Sequence, residues 1–206
     1  MHIRNTVLLV FVSVTGMLAA SDTADTVVIS PPPAEFSPMT SHERLGAYVS
    51  GLASPETFLR AAASAGMAQA SGTPTEWGGG ARGFGERMGS AFAQHVIRGT
   101  LQYGLSAALH EDNRYFASRE TGFFRRTKYA VKSTFLARHD NGSQSFSFSR
   151  IGGAAGSAFI SRAWQPPSKT TAGDGAVVFG LSMMTDVGFN VFREFWPDLK
   201  RRFHKE

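Results

Sequence analysis

The densest run of chemistry-bearing side chains is His110-Glu111-Asp112-Asn113-Arg114-Tyr115. A hydrolase built on it would use Glu111 or Asp112 as general base and His110 as acid or ligand, with Arg114 and Tyr115 completing the polar cluster. Two features weigh against that use. A zincin needs two histidines four residues apart on one helical face, and position 114 is arginine. Adjacent residues of a helix also point in different directions, so these side chains do not converge unaided. The competing reading is structural: the polar end of a helix and a turn, with Asp112 and Arg114 forming a buried pair. That reading is preferred, and none of Glu111, Asp112, Arg114 or Tyr115 takes a catalytic label.

Other chemistries lack their residues. Gly104-Leu105-Ser106 and Gly180-Leu181-Ser182 miss the second glycine of a serine-nucleophile elbow. Gly83-Phe84-Gly85 with Gly89 has the wrong spacing for a dinucleotide loop, and no strand precedes it. The six histidines are scattered, so no metal site is expected, and no cofactor is implied. The absence of cysteine excludes a disulfide framework, a thiolate zinc site and a cysteine nucleophile. Arg125, Arg126, Lys128, Lys132 and Arg138 form a basic surface with interleaved aromatics that could contact phosphates. An exported chain does not meet nucleic acid, so a solvated face is the preferred reading.

The expectation of export rests on the N-terminus. Met1-His2-Ile3-Arg4-Asn5 is a short basic segment, followed by the apolar run Val7 to Val12 and then Met17-Leu18-Ala19-Ala20 before the polar Ser21-Asp22-Thr23. This order predicts a signal peptide over residues 1–20 with a small residue before the cut, and the run is short for a bilayer span. Residues 21–40 read as a disordered linker, because Pro31-Pro32-Pro33 and Pro38 oppose helix and little apolar surface is available.

Residues 41–206 then form one helical domain, large enough for a core, with 17 phenylalanines in a chain that is 42% hydrophobic. A first short helix ends near Gly51. Ser54-Pro55-Glu56 supplies a cap, a proline at the first helical position and an early acid. A long helix spans about 81–110, with Phe84, Met88, Phe92, Val96, Gly99 and Tyr103 on one face. Its glycines, and those of Gly152-Gly153-Ala154-Ala155-Gly156, each cost about 1 kcal/mol against alanine unless helices approach closely there. Phe123 to Arg138 reads as a basic amphipathic helix with Phe124, Tyr129, Phe135 and Leu136 as its apolar contacts. Asp140-Asn141-Gly142 is a turn, and the alternation over Ser143 to Ser149 is a short strand, unless Ser149 caps the next helix. The last helix carries Val177, Leu181, Met184, Gly188, Val191 and Phe195 on one stripe and stops at Trp196-Pro197-Asp198, before the basic tail. None of the apolar segments is predicted to span a membrane: His95 and Arg98 interrupt one, and Asp186, Arg193 and Glu194 another.

Glu111-Asp112-Asn113-Arg114-Tyr115-Phe116, Phe146-Ser147-Phe148-Ser149 and Glu194-Phe195-Trp196-Pro197-Asp198 together resemble segments of a group of exported proteins from acidobacteria and related soil bacteria. That group has proline where Asn113 stands and asparagine where Ser147 stands. The resemblance covers roughly residues 75–200, brings no activity, cofactor or catalytic residue, and implies a bacterial envelope setting.

The expected fold is mainly α, a compact helical bundle with Gly-rich helix contacts and one short β-hairpin. The expected protein is a non-enzymatic envelope protein, membrane-associated or structural, in the periplasm or at the outer membrane of a Gram-negative bacterium. Its net charge of +5 and basic end suit an anionic membrane surface. Another envelope protein, or a second copy through the Gly-lined helices, is the other partner considered. The alternative is an exported hydrolase-like enzyme using Glu111, Asp112, Arg114 and Tyr115.

Overall fold

The glycine contacts organise the bundle. The computed structural model describes residues 28–29 and 36–203, so residues 1–20, read as a signal peptide, most of residues 21–40, read as a linker, and the last three residues lie outside the described residues. Thr40 opens helix α1 (Ser41–Leu52) with a reciprocal cap to Glu43, and Ser54 opens α2 (Pro55–Ala70). Next come a 3-10 turn at Thr75–Trp77 and the long helix α3 (Gly80–Ala108). Short strands β2 (Glu111–Asp112) and β3 (Phe116–Ala117) lead to α4 (Phe123–Phe135). Strands β4 (Leu136–His139) and β5 (Gln144–Phe146) precede α5 (Phe148–Ile160) and the final helix α6 (Ala172–Phe203). Strand β1 (Val28–Ile29), within the stretch read as a linker, pairs in parallel with β3, while β2, β4 and β5 form an antiparallel sheet.

The bundle is mainly α with a β4–β5 hairpin, as expected. Its turn is closed by Gly142 at φ +82° and by the Asn141 side chain, which accepts from Ser143. Three details differ from the sequence reading. The residues after α3 are a buried strand rather than the polar end of the helix. Ser147, not Ser149, caps α5, because Ser149 and its backbone N–H are bound by a carboxylate described below. Helix α6 runs through Pro197 to Phe203 instead of stopping there. A proline removes one helical hydrogen bond, and here Arg126 braces the site by donating to the Glu194 carbonyl and the Asp198 carboxylate.

Helix α3 packs on α5 through small residues. A Cβ on Gly153 would lie 3.0 Å from the Arg98 carbonyl oxygen and 3.0 Å from Gln102 Cβ, and one on Gly156 would strike Leu101. The opposite side of α3 receives α1 and α2: Gly99 meets Leu52, Phe92 stacks on Phe58, and Tyr103 stacks on Tyr48. A Cβ on Gly85 or Gly104 meets nothing within 4 Å, so close approach does not explain those two. Gly153→Leu is therefore expected to destabilise by about 1–3 kcal/mol, whereas Gly85→Ala and Gly104→Ala should stabilise by about 0.5–1 kcal/mol. Denaturant unfolding of the three variants checks the difference in sign.

The distribution of polarity decides where the site lies. Among the largest fully buried side chains are Glu111, Glu194, Thr134 and Asp112, and the buried apolar residues are mostly alanine. Phe123, Phe124, Phe148, Val177, Leu181, Met184 and Phe203 are exposed, Phe124 to 85%. In α4 the buried residues are Ala130 and Thr134, so Phe124 and Phe135 are not the core contacts expected of them.

Candidate functional site

Alternation along β2 sends its two carboxylates to different places. Glu111 is completely buried beneath the start of α5. Its oxygens accept from the backbone N–H of Phe148 (3.0 Å) and Ser149 (3.0 Å) and from the hydroxyls of Ser147 (3.1 Å) and Ser149 (2.5 Å). A carboxylate there satisfies N–H groups that the first helical turn leaves unpaired and meets the positive end of the helix dipole. Asn113 completes the nest by donating to Ser149 Oγ (2.8 Å).

Asp112 faces the other way. It accepts from Arg114 Nε (2.9 Å), Nη2 (2.5 Å) and backbone N–H (2.9 Å), and Arg114 also donates to the Ser37 carbonyl (2.9 Å). The expected Asp112–Arg114 pair is thus present, with the Asp112 side chain fully buried and Arg114 35% exposed. The cavity beside it is about 20 Å³, close to the space of one water. Tyr115 points to a third place, donating to Glu194 at 2.7 Å. The four candidate residues are therefore neighbours in sequence that serve three separate contacts.

The charged residues that complete this network were missed as a group. Glu194 on α6 accepts from Tyr115, from Ser118 N and Oγ (both 2.9 Å) and from Arg126 Nε (2.9 Å). The sequence puts Arg126 on a solvated basic face, whereas the structure turns it onto Glu194. Arg150, on α5, donates to the carbonyls of Ser133 (2.6 Å), Thr134 (2.9 Å), Leu136 (3.3 Å) and Asn113 (3.0 Å). It closes the C-terminus of α4 as Glu111 closes the N-terminus of α5, each charge at the helix end of opposite polarity. Burial lowers the Arg150 pKa to about 10, which leaves it a cation at neutral pH. Arg98 on α3 pairs with Asp186 and donates to Ser182 (2.6 Å) on α6, and Asn190 donates to Thr134 Oγ1 (2.9 Å). The sequence signal for these contacts was the placement of Arg150, Asp186 and Glu194 inside Gly-rich or apolar runs, where a charge persists only if a partner is packed against it.

Burial, and then the bond to Glu194, pushes the Tyr115 hydroxyl well above its ordinary range; burial also raises Tyr129. A folded-state pKa raised above the unfolded value of about 10 contributes stability that is complete below that pH and lost as pH rises through it. Tyrosinate absorbance should accordingly show Tyr115 and Tyr129 still protonated above about pH 10 in the folded chain. Stability should fall with pH there, and Tyr115→Phe should flatten the fall; alkaline absorbance titration with unfolding curves checks both.

Among the described residues no group of three or more His, Cys, Asp or Glu side chains is arranged to hold a metal ion. No family model, curated protein or solved structure matches the chain.

Proposed function

We propose that this chain is an exported, non-enzymatic protein of the bacterial envelope, held at a membrane by its own apolar exterior. The observation that carries the reading is the placement of polarity: carboxylates, guanidinium groups and hydroxyls are buried among small apolar residues, mostly alanine, while large phenylalanine, leucine and valine side chains lie exposed. In water that arrangement forgoes most of the hydrophobic stabilisation available to a chain with so many phenylalanines. In lipid it is the favourable one, because interior polar groups satisfy each other and apolar side chains meet hydrocarbon.

Helix α6 supplies further support and revises the expectation that no segment suits a membrane. It is long and apolar enough to cross one, and only 17% of its most apolar 18-residue stretch is buried in the bundle. Four of the residues that lipid would reject, Ser182, Asp186, Asn190 and Glu194, turn inward onto partners from α3, α4 and the strand region, while Arg193 is half-buried. Val177, Leu181 and Met184 turn outward. At the far end Trp196 and Phe203 lie beside the exposed Lys200, Arg201 and Arg202, a combination suited to an anionic headgroup layer.

Lipid is favoured over a second copy as partner, since Gly152, Gly153 and Gly156 already meet α3 of the same chain. The hydrolase alternative has less support, because Glu111, Asp112 and Tyr115 are committed to internal contacts. The periplasmic or outer-membrane setting rests on the N-terminal segment and the resemblance described above. Fractionation tests the reading: the mature protein should stay in the membrane pellet through high-salt and alkaline washes and leave it in detergent. Recovery wholly in the soluble fraction at low and high salt would overturn it.

A further inference from the structure

Away from the buried network, a cleft of about 330 Å³ opens at the N-terminal end of α3, lined by Trp77, Glu86, Gly89, Ser90, Ala93 and Trp164. We infer that this cleft binds a quaternary ammonium group. Two of the chain's three tryptophans line it together with one carboxylate, and indole faces with a nearby negative charge are the groups that attract an organic cation. The floor is small, because Gly89 and Ala93 lie one helical turn apart, and a Cβ added at Gly89 would meet nothing within 4 Å.

The walls are held in place before any ligand arrives. Arg87 is buried and donates to the carbonyls of Thr73 (2.8 Å), Pro74 (2.8 Å) and Gly78 (2.9 Å), which fixes the turn carrying Trp77. Trp164 Nε1 donates to Ser90 Oγ at 3.0 Å, and Gln165 donates to the same oxygen at 2.7 Å. Glu76 accepts from Ser168 N and Oγ, tying the two tryptophan-bearing loops together. Rigid walls lower the entropy lost on binding.

The same bonds select the kind of cation. Among the lining residues only Ser90 and Glu86 carry side-chain acceptors, and the Ser90 oxygen is occupied by Trp164 and Gln165, so an ammonium with several N–H groups finds a side-chain partner for them in Glu86 alone. A fully methylated nitrogen donates none and loses nothing there. Glu86 supplies the counter-charge: among the described residues it pairs with Arg82 at 3.1 Å, whose side chain is 91% exposed, so that pair is weak. The ammonium could belong to a choline lipid headgroup or to a small free solute, and the inference holds whether or not the chain is membrane-bound.

The test is tryptophan fluorescence of the full chain in maltoside micelles, whose headgroup has no ammonium. Tetramethylammonium chloride and choline chloride are titrated, with sodium chloride as the ionic-strength control. Both ammonium salts should give a saturable change, and Glu86→Gln should weaken it about fivefold. Gly89→Leu fills the cleft from its floor at a position with room for a side chain, and should abolish the change while helicity by circular dichroism is kept. The uncharged choline isostere 3,3-dimethyl-1-butanol should bind far more weakly than choline. A response to the isostere equal to that for choline, no saturable response to either salt, or an unchanged affinity in Glu86→Gln would each overturn the inference. Flotation with phosphatidylcholine and phosphatidylglycerol vesicles separates the sources: a phosphatidylcholine preference lost in Gly89→Leu assigns the lipid, and micelle binding without that preference assigns the free solute.

Discussion

Replacing Glu194 with leucine is expected to lower the unfolding free energy by about 3–5 kcal/mol. The carboxylate is almost wholly enclosed and accepts four hydrogen bonds, one from the guanidinium of Arg126. Leucine leaves Arg126 with only the part-exposed Asp198 as counter-charge and Ser118 N–H without an acceptor, and groups short of partners in this way carry most of the cost. Arg126→Met alone should be destabilising for the mirror-image reason. The double variant should be less destabilised than the sum of the two, because neither charge is then left alone. Denaturant unfolding of the wild type, both single variants and the double variant in one detergent measures the coupling. Simple additivity would mean that Glu194 and Arg126 do not act as a unit.

Glu111→Ala is expected to be comparably costly, about 3–5 kcal/mol, with damage centred on the start of α5. Alanine deprives the N–H groups of Phe148 and Ser149 and the hydroxyls of Ser147 and Ser149 of a common acceptor. Glu111→Gln should recover little. Each oxygen accepts from a backbone N–H, Oε1 from Phe148 and Oε2 from Ser149, so either orientation of the amide sets its NH2 group against a donor that cannot reverse. Hydrogen exchange should show the first turn of α5 opening in both variants while α2 stays protected. Uniform loss of protection, or full rescue by glutamine, would contradict the capping role.

The helical architecture was legible because its signals are local. Ser54-Pro55 marks the start of α2, Asp140-Asn141-Gly142 marks the hairpin turn, and Gly152-Gly153 marks the close approach to α3. The Asp112–Arg114 pair was also within reach, two residues apart in sequence. What could not be read was which face of each helix turns inward. An apolar stripe reads as core, the rule for a chain in water, yet Leu181 and Met184 lie outside and Asn190 and Glu194 inside. The partners of Glu111, Arg150 and Glu194 lie between 14 and 79 residues away, and no local pattern specifies them. Reading residues 110–116 as the polar end of a helix and a turn misses the strand for a related reason: β2 is a strand because β4 pairs with it, matching Glu111 to His139 and Asp112 to Arg138.

The most direct test of the account is where the outer face of α6 resides. The chain has no cysteine, so single cysteines can be placed at Val177, Leu181 and Met184, spin-labelled, and studied in lipid vesicles by collision with oxygen and with a water-soluble nickel chelate. If the apolar exterior faces lipid, all three labels collide more readily with oxygen than with the chelate. Preferential collision with the chelate at all three, in protein recovered with the vesicles, would place that face in water and contradict the account.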